Sequence, residues 1–419
     1  MTENNIDMMN SRLADCHLIL GNDELAIQIL SDYADCDDHS YVHHTLGKAW
    51  ERLRNYEKAE THHLQALQLD FNNIMLSETD RYGNSSTKAE QIDLINSYSP
   101  EQRLQMIPNN ALIIASIASL GVIYDGIGKH RRAEAYLLKA LKFIYELYGE
   151  GAAVKPAARV LVNLGNNYSN MGQDGKSEQC YKDAMAIFVK ISKNIDSLDV
   201  AHTLSNLGGC YKSMSQYTKA ERYFILALET YRSISIGADT IDIAQTFNYL
   251  GDNSRDMRPS TGSSLKKAEK FYDQALAIYR ELLCGRNSVN MADTLRNQGQ
   301  NYQLMKKYKK AETVYKEALA IFSAISPCSV DIAITLYRLG LVYNNLWLIN
   351  EAIEHHKQAL DIYAQVSDGA EGGYSLDMAR IHNHLGVNNL VKGRLGEAEH
   401  HLNKALGMYR SVSHGVDTL

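Results

Sequence analysis

Five prolines stand among 419 residues, too few to interrupt a chain of helices or to make a proline-rich linker. Long apolar runs are missing as well: none approaches the roughly 18 residues that a membrane span needs. The opening residues, Met-Thr-Glu-Asn-Asn-Ile-Asp, have neither the basic start nor the apolar core of a secretory signal, so a cytoplasmic location is expected. The six cysteines (Cys16, Cys36, Cys180, Cys210, Cys284 and Cys328) are scattered singly, which speaks against a disulfide framework and for reduced thiols. No phosphate loop, Gly-x-Ser-x-Gly elbow or dinucleotide fingerprint occurs, and none of the paired histidines (43–44, 62–63, 355–356 and 400–401) forms His-Glu-x-x-His. No catalysis, cofactor or metal site is therefore expected. A basic excess is also lacking. The net charge is −6, and residues 1–70, with 13 acidic and 5 basic side chains, carry −8 of it. Nucleic acid is excluded as an expected partner, since it calls for a concentrated basic surface. The acidic start reads either as a complement to a basic partner or as a solvated helix edge.

What is present is a frame of small residues. Gly47, Gly121, Gly165, Gly208, Gly251, Gly299, Gly340 and Gly386 are each followed, twelve residues on, by a small residue running from Ala59 through Ser177 to Ala398. Only the unit ending in Ala268 carries five extra residues, and a second alanine, from Ala66 to Ala405, always stands seven further on. A mid-helix glycine costs roughly 1 kcal/mol against alanine, and close approach of a second helix offsets that cost. The frame thus predicts pairs of antiparallel helices. Leu precedes the glycine in every unit except the one with Gln298, and an aromatic row (Trp50, Tyr124, Tyr168, Tyr211, Tyr302, Tyr343) follows it by three. Ser254 and Asn389 break the row, and looser packing is expected there. His63 and His356 fall where other units place Tyr181, Phe224, Tyr272 and Tyr315, so they read as substitutes for a packed ring.

At these offsets the chain resembles the tetratricopeptide repeat, with a weaker ninth copy at Ala14, Ala26 and Tyr33. The resemblance implies an all-α fold: a right-handed α-solenoid, or superhelix, of about nine helix-turn-helix units. From Gly121 onward the glycines lie 41 to 48 residues apart, a long period similar to that of kinesin light chains. The added stretch, as in residues 318–325, is apolar at helical spacing and predicts a lengthened second helix. Lead-ins such as Asp199-Val-Ala-His-Thr-Leu and Asp331-Ile-Ala-Ile-Thr-Leu predict helix starts at the Asp. Residues 1–70 then hold two units, residues 71–110 an insertion, and residues 111–419 seven units. Within the insertion, Tyr82–Thr87 reads as a mobile loop, and Ser99-Pro-Glu-Gln102 as the start of a short helix ending near Ile107. Residues 257–264 lengthen a turn.

Tetratricopeptide domains hold peptides or helices on the face of their first helices, at positions two before and one after the frame glycine. The resemblance implies such a site at Asn163, Asn206 and Asn297, with Arg338 and His384 at the same place in later units and Asn166 one after its glycine. An asparagine amide satisfies a peptide backbone whatever the peptide's side chains. Arg159, Lys212, Arg255, Arg296, Arg338 and Arg380 recur on first helices, where they either pair with acidic groups of a partner or solubilise the helix. The implied function is a non-enzymatic scaffold or adaptor that binds a peptide segment or helix of a partner protein in its concave groove. The alternative is a ligand- or peptide-gated regulator similar to the tetratricopeptide pheromone receptors of Gram-positive bacteria. Those receptors carry a separate N-terminal bundle, whereas residues 1–70 here read as repeats. Residues 411–419 parallel 233–241, the lead-in to another unit. The last unit is therefore expected to be covered by a partner, by self-association or by further sequence.

Overall fold

The computed structural model describes residues 13, 23–31, 40–53, 55–82, 111–192, 197–257, 261–367 and 375–416, and among them every regular element is an α-helix. The chain divides into two compact units, Met1–Met214 and Ser215–Leu419. The first contains α1 (Asp23–Ser31), α2 (Ser40–Arg52), α3 (Tyr56–Tyr82), α4 (Ala111–Gly126), α5 (His130–Tyr148), α6 (Lys155–Asn170), α7 (Asp174–Ser192) and α8 (Leu198–Ser213). The second contains α9 (Tyr217–Ile234), α10 (Ile241–Asp256), α11 (Gly262–Leu283), α12 (Val289–Leu304), α13 (Tyr308–Ile325), α14 (Val330–Asn345), α15 (Ile349–Ser367), α16 (Ser375–Val391) and α17 (Leu395–Val416). Even-numbered helices from α2 carry the frame glycines, and each of them except α8, which ends the first unit, packs on the odd-numbered helix that follows it.

The close approach that the glycines imply is real. A Cβ on Gly165, Gly251 or Gly299 would come within 2.5, 2.6 or 2.7 Å of a ring carbon of Tyr181, Tyr272 or Tyr315. Gly47 and Gly340 meet His63 and His356 in the same way, and Gly121 and Gly386 meet Leu137 and Leu402. The frame alanines are fully buried from Ala59 to Ala398. From α5 onward the second helices run to 18–22 residues against 16 or 17 for the first, as the added apolar stretch predicts. In the long sixth unit α11 starts six residues before Ala268, whereas α13 starts three before Ala311. Part of the extra sequence is thus one more turn of helix, closed by a capping box between Thr261 and Ser264. Residues 258–260, and the loop and short helix expected across 83–107, lie outside the described residues; α3 itself continues to Tyr82.

The capping residues fall two positions before the aspartates expected to mark the helix starts. Ser197, Thr240 and Ser329 accept from the N–H of Val200, Ile243 and Ile332, while Asp199, Asp242 and Asp331 sit in the first turn, where their charge suits the positive helix end. Two further ties set the register between units. Tyr168, Tyr211 and Tyr343 of the aromatic row donate to Glu134, Glu178 and Glu312 of the preceding second helix at 2.8, 2.7 and 3.0 Å. Burial and the neighbouring Glu60 and Glu269 carboxylates raise the pKa of the Tyr124 and Tyr302 hydroxyls. Where the row breaks at Ser254, Glu221 holds Lys267 instead. At Asn389 the glutamate position is Ile353, and the buried amide has no partner. The second tie joins Asn167, Asn253 and Asn301 to the carbonyls of His130, Tyr217 and Leu265, near the start of the preceding second helix, at 3.0–3.1 Å.

Candidate functional site

Within the first unit α6 touches α4 and α8, and within the second α12 touches α10 and α14; among the described residues successive second helices make no comparable contact. First helices therefore line the tighter side of each unit. Their outward side chains form a polar face, and the expected site residues stand on it.

In the first unit, α6 presents Arg159, Asn163 and Asn166, and α8 presents Asn206 and Lys212. Asn163 and Asn206 occupy the same place one repeat apart, are half-buried, and take part in no hydrogen bond among the described residues. Asn166 is engaged, its Oδ1 accepting from the Tyr181 hydroxyl at 2.6 Å. Arg159 reaches Asp199 at 3.4 Å, beside Lys155 at 2.6 Å. Burial would raise the Asp199 carboxyl, but these two cations hold it below the usual range. Lys212 is half-buried.

In the second unit most of the expected residues are engaged within the fold. Arg255 is buried, pairs with Asp252 and Asp256 at 2.9 and 2.8 Å, and donates to the Tyr272 hydroxyl at 3.1 Å. Burial works against its charge, but the two carboxylates prevail and raise its pKa. Arg296 bridges Asp293 and Asp331 at 2.5 and 2.8 Å, tying α12 to α14. Asn297 donates to Asn248 and Asp252 at 3.3 and 3.2 Å. Arg338 is half-buried and has no carboxylate partner among the described residues. His384 stacks on His356 with ring centroids 5.6 Å apart and lies 5.7 Å from Tyr337, where burial lowers its pKa.

A cleft of about 450 Å³ opens between the ends of α2, α4 and α6, lined by Glu51, Arg52, Tyr56, Val122, Asp125, Gly126, Asn166, Ser169, Asn170 and Tyr181. Asp125 is held on its wall by His130, Asn167 and Asn170 at 2.8–2.9 Å. Glu51 has no partner among the described residues, and burial pushes its carboxyl up to about 7 against the opposing pull of Lys48. Among the described residues no group of three or more His, Cys, Asp or Glu is placed to hold a metal, and no helix is long and apolar enough to cross a membrane.

Two features escaped the pattern of spacings. The slot tyrosines pass over the frame glycine and deliver a hydroxyl to the first-helix face: Tyr181 to Asn166, Tyr272 to Asp252 at 2.7 Å, and Tyr315 to Gln303 at 2.7 Å. The signal lay in the position after the glycine, which is polar at Asn166 and Asp252 but apolar at Val122, Leu341 and Val387, where the slot holds Leu137, His356 and Leu402. Glu51 fell outside the groove positions and could be found only from the cleft.

A family model described as Tetratricopeptide repeat matches residues 156–233, 263–324 and 331–411, and a second model of the same description matches 114–144. The chain belongs to the tetratricopeptide repeat family. No curated protein matches it in sequence. Among solved tetratricopeptide-like structures, a Rap protein complexed with Competence and Sporulation Factor is 14% identical, covering 90% of this chain and 99% of its own at a TM-score of 0.54. A signal transduction ATPase with a tetratricopeptide repeat sensor, from Pyrococcus horikoshii, is 14% identical, covering 94% of this chain and 56% of its own at 0.53. A putative kinesin light chain from Podosopora anserina is 14% identical, covering 51% and 96% at 0.38. The family match and the two fuller likenesses make the fold an all-α tetratricopeptide solenoid.

Proposed function

We propose that the protein is a non-enzymatic, cytoplasmic scaffold or adaptor that holds a peptide segment or helix of a partner protein on its first-helix face. The observation that carries this reading is the pair Asn163 and Asn206. A half-buried amide with no intramolecular partner is an unspent donor and acceptor, and two of them one repeat apart suit the backbone of an extended segment. Asn297, spent on Asn248 and Asp252, supports the opposite expectation for the second unit, where Arg338, without a carboxylate partner among the described residues, is left to contact side chains. The test is selection of a displayed random peptide library on the full-length protein, followed by affinity measurement on the double variant Asn163→Ala/Asn206→Ala. Two lost amide bonds predict a loss of about tenfold or more at unchanged Tm. Equal affinity moves the site off this face.

The alternative, a peptide-gated regulator, draws on the Rap protein, whose structure is of a complex with Competence and Sporulation Factor. The same selected peptides separate the two. For a scaffold they protect amides around α6 and α8 from hydrogen exchange, whereas a regulator changes protection in helices that the peptide does not touch.

A further inference from the structure

The cleft at the ends of α2, α4 and α6 has a chemical character that the asparagine face lacks. Its wall residues come from the last turns of three first helices: Glu51 and Arg52 from α2, Asp125 and Gly126 from α4, Ser169 and Asn170 from α6. Three helix C-termini bring the negative ends of three peptide dipoles to one place. Two carboxyl groups are added to them. Asp125 is fixed on one wall by three donors, whereas Glu51 faces the cleft with none. Such a carboxyl is costly as an ion until a cation joins it, which is why burial pushes it up to about 7. Tyr56, whose ring packs on Gly126, adds an aromatic side chain to the cleft wall, which suits a cation as well. The opposing charges are Lys48 and Arg52; both are exposed, and Arg52, itself a wall residue, has an interaction of its own. The net −8 of residues 1–70 in the sequence favours a basic partner.

We infer that the cleft between Glu51 and Asp125 takes a basic side chain, a guanidinium or an ammonium, of a peptide lying along α2, α4 and α6. The inference rests on the peptide-binding reading above and names the partner's chemistry: a segment with an arginine or lysine whose backbone continues towards Asn163 and Asn206. Arginine suits the site best, because its planar fork can meet Glu51 and the helix-end carbonyls together.

The probe is N-acetyl-arginine methylamide, titrated into the full-length protein while the methyl resonances of Val122, a wall residue, are followed by NMR. Saturable shifts at Val122 are expected. The neutral isostere, N-acetyl-citrulline methylamide, should bind at least tenfold more weakly, and Glu51→Gln should weaken the arginine probe by a similar factor at unchanged or higher Tm. Asn163→Ala/Asn206→Ala should bind the probe as wild type does, so failure of the backbone contacts and failure of the cleft are read separately. Equal binding of citrulline and arginine on wild-type protein overturns the inference whether or not the glutamine variant folds. Wild-type affinity in Glu51→Gln, or shifts that spare Val122, overturns it too. Spermidine binding the cleft tenfold tighter than the arginine probe would reject a peptide side chain in favour of a free polyamine.

Discussion

The slot opposite the frame glycine shows how much one side chain can change within a fixed frame. His356 fills it where other units have tyrosine; it is fully buried, and neither ring nitrogen has a hydrogen-bond partner. Burial, helped by His384 and His355, pushes its pKa down to about 3, and His63 is in the same state. An unfolded histidine titrates near 6.5, so between the two values the unfolded chain binds the extra proton, and stability falls as pH falls through that window. At pH 5 the loss is about 2 kcal/mol for one such histidine. His356→Tyr removes it and offers a hydroxyl to Asn344 Oδ1, which is buried without a partner, much as Tyr315 serves Gln303. The variant should melt higher than wild type at pH 5, by a wider margin than at pH 7.5. An equal margin at both would mean that His356 is not held neutral. The ring-for-ring exchange was legible in the sequence because the offset of sixteen from glycine to slot is kept in every unit but the one with five extra residues; the unpaired ring nitrogens were not, because they depend on what the neighbouring helix leaves unoffered.

Each helix pair places two opposite demands on its backbone. At Gly299 the first helix must let Tyr315 pass, so Gly299→Ala puts a methyl within 2.7 Å of the ring and should cost about 1–3 kcal/mol, less the helix propensity gained. Seven residues after the frame glycine, wherever that position is described, the chain takes a left-handed residue: Gly128, Gly172 and Gly393 at φ 79, 69 and 72°, and Ser215 and Lys306 at 58 and 57°. Trp347 stands there in its own unit at φ 61°, with its side chain 80% exposed. A left-handed non-glycine residue costs roughly 1–2 kcal/mol, and so little packing does not offset it. Trp347→Gly should therefore raise thermal stability by about 1 kcal/mol, and a lower Tm would show that the indole holds the turn. Helix pairing and the lengthened second helices were legible, since the small residues and the added apolar stretch are properties of one strip of sequence. The true helix starts were not, because the aspartate beside each start serves the first turn and, at Asp199 and Asp331, a cation on the preceding first helix.

Repeats couple chiefly to their neighbours, and that decides both what could be read at the scale of the whole chain and what a mutation there should do. Asn163, Asn206 and Asn297 occupy one repeat position, yet only Asn297 is spent. The preceding unit offers it Asp252, whereas the equivalent residue is Val122 for Asn163 and, for Asn206, Asn166, already accepting from Tyr181. The fold was legible from the period alone; the state of each site residue needed the unit before it. The same dependence limits how far damage spreads. Gly299 lies on α12, which packs on α13 and α11, with smaller contacts to α10 and α14. In native-state hydrogen exchange, Gly299→Ala should lower amide protection in α11 to α14 while α4 to α7 keep wild-type rates. A uniform loss in both units would mean that the chain opens as a single cooperative block, and neighbour-by-neighbour energetics would not describe it.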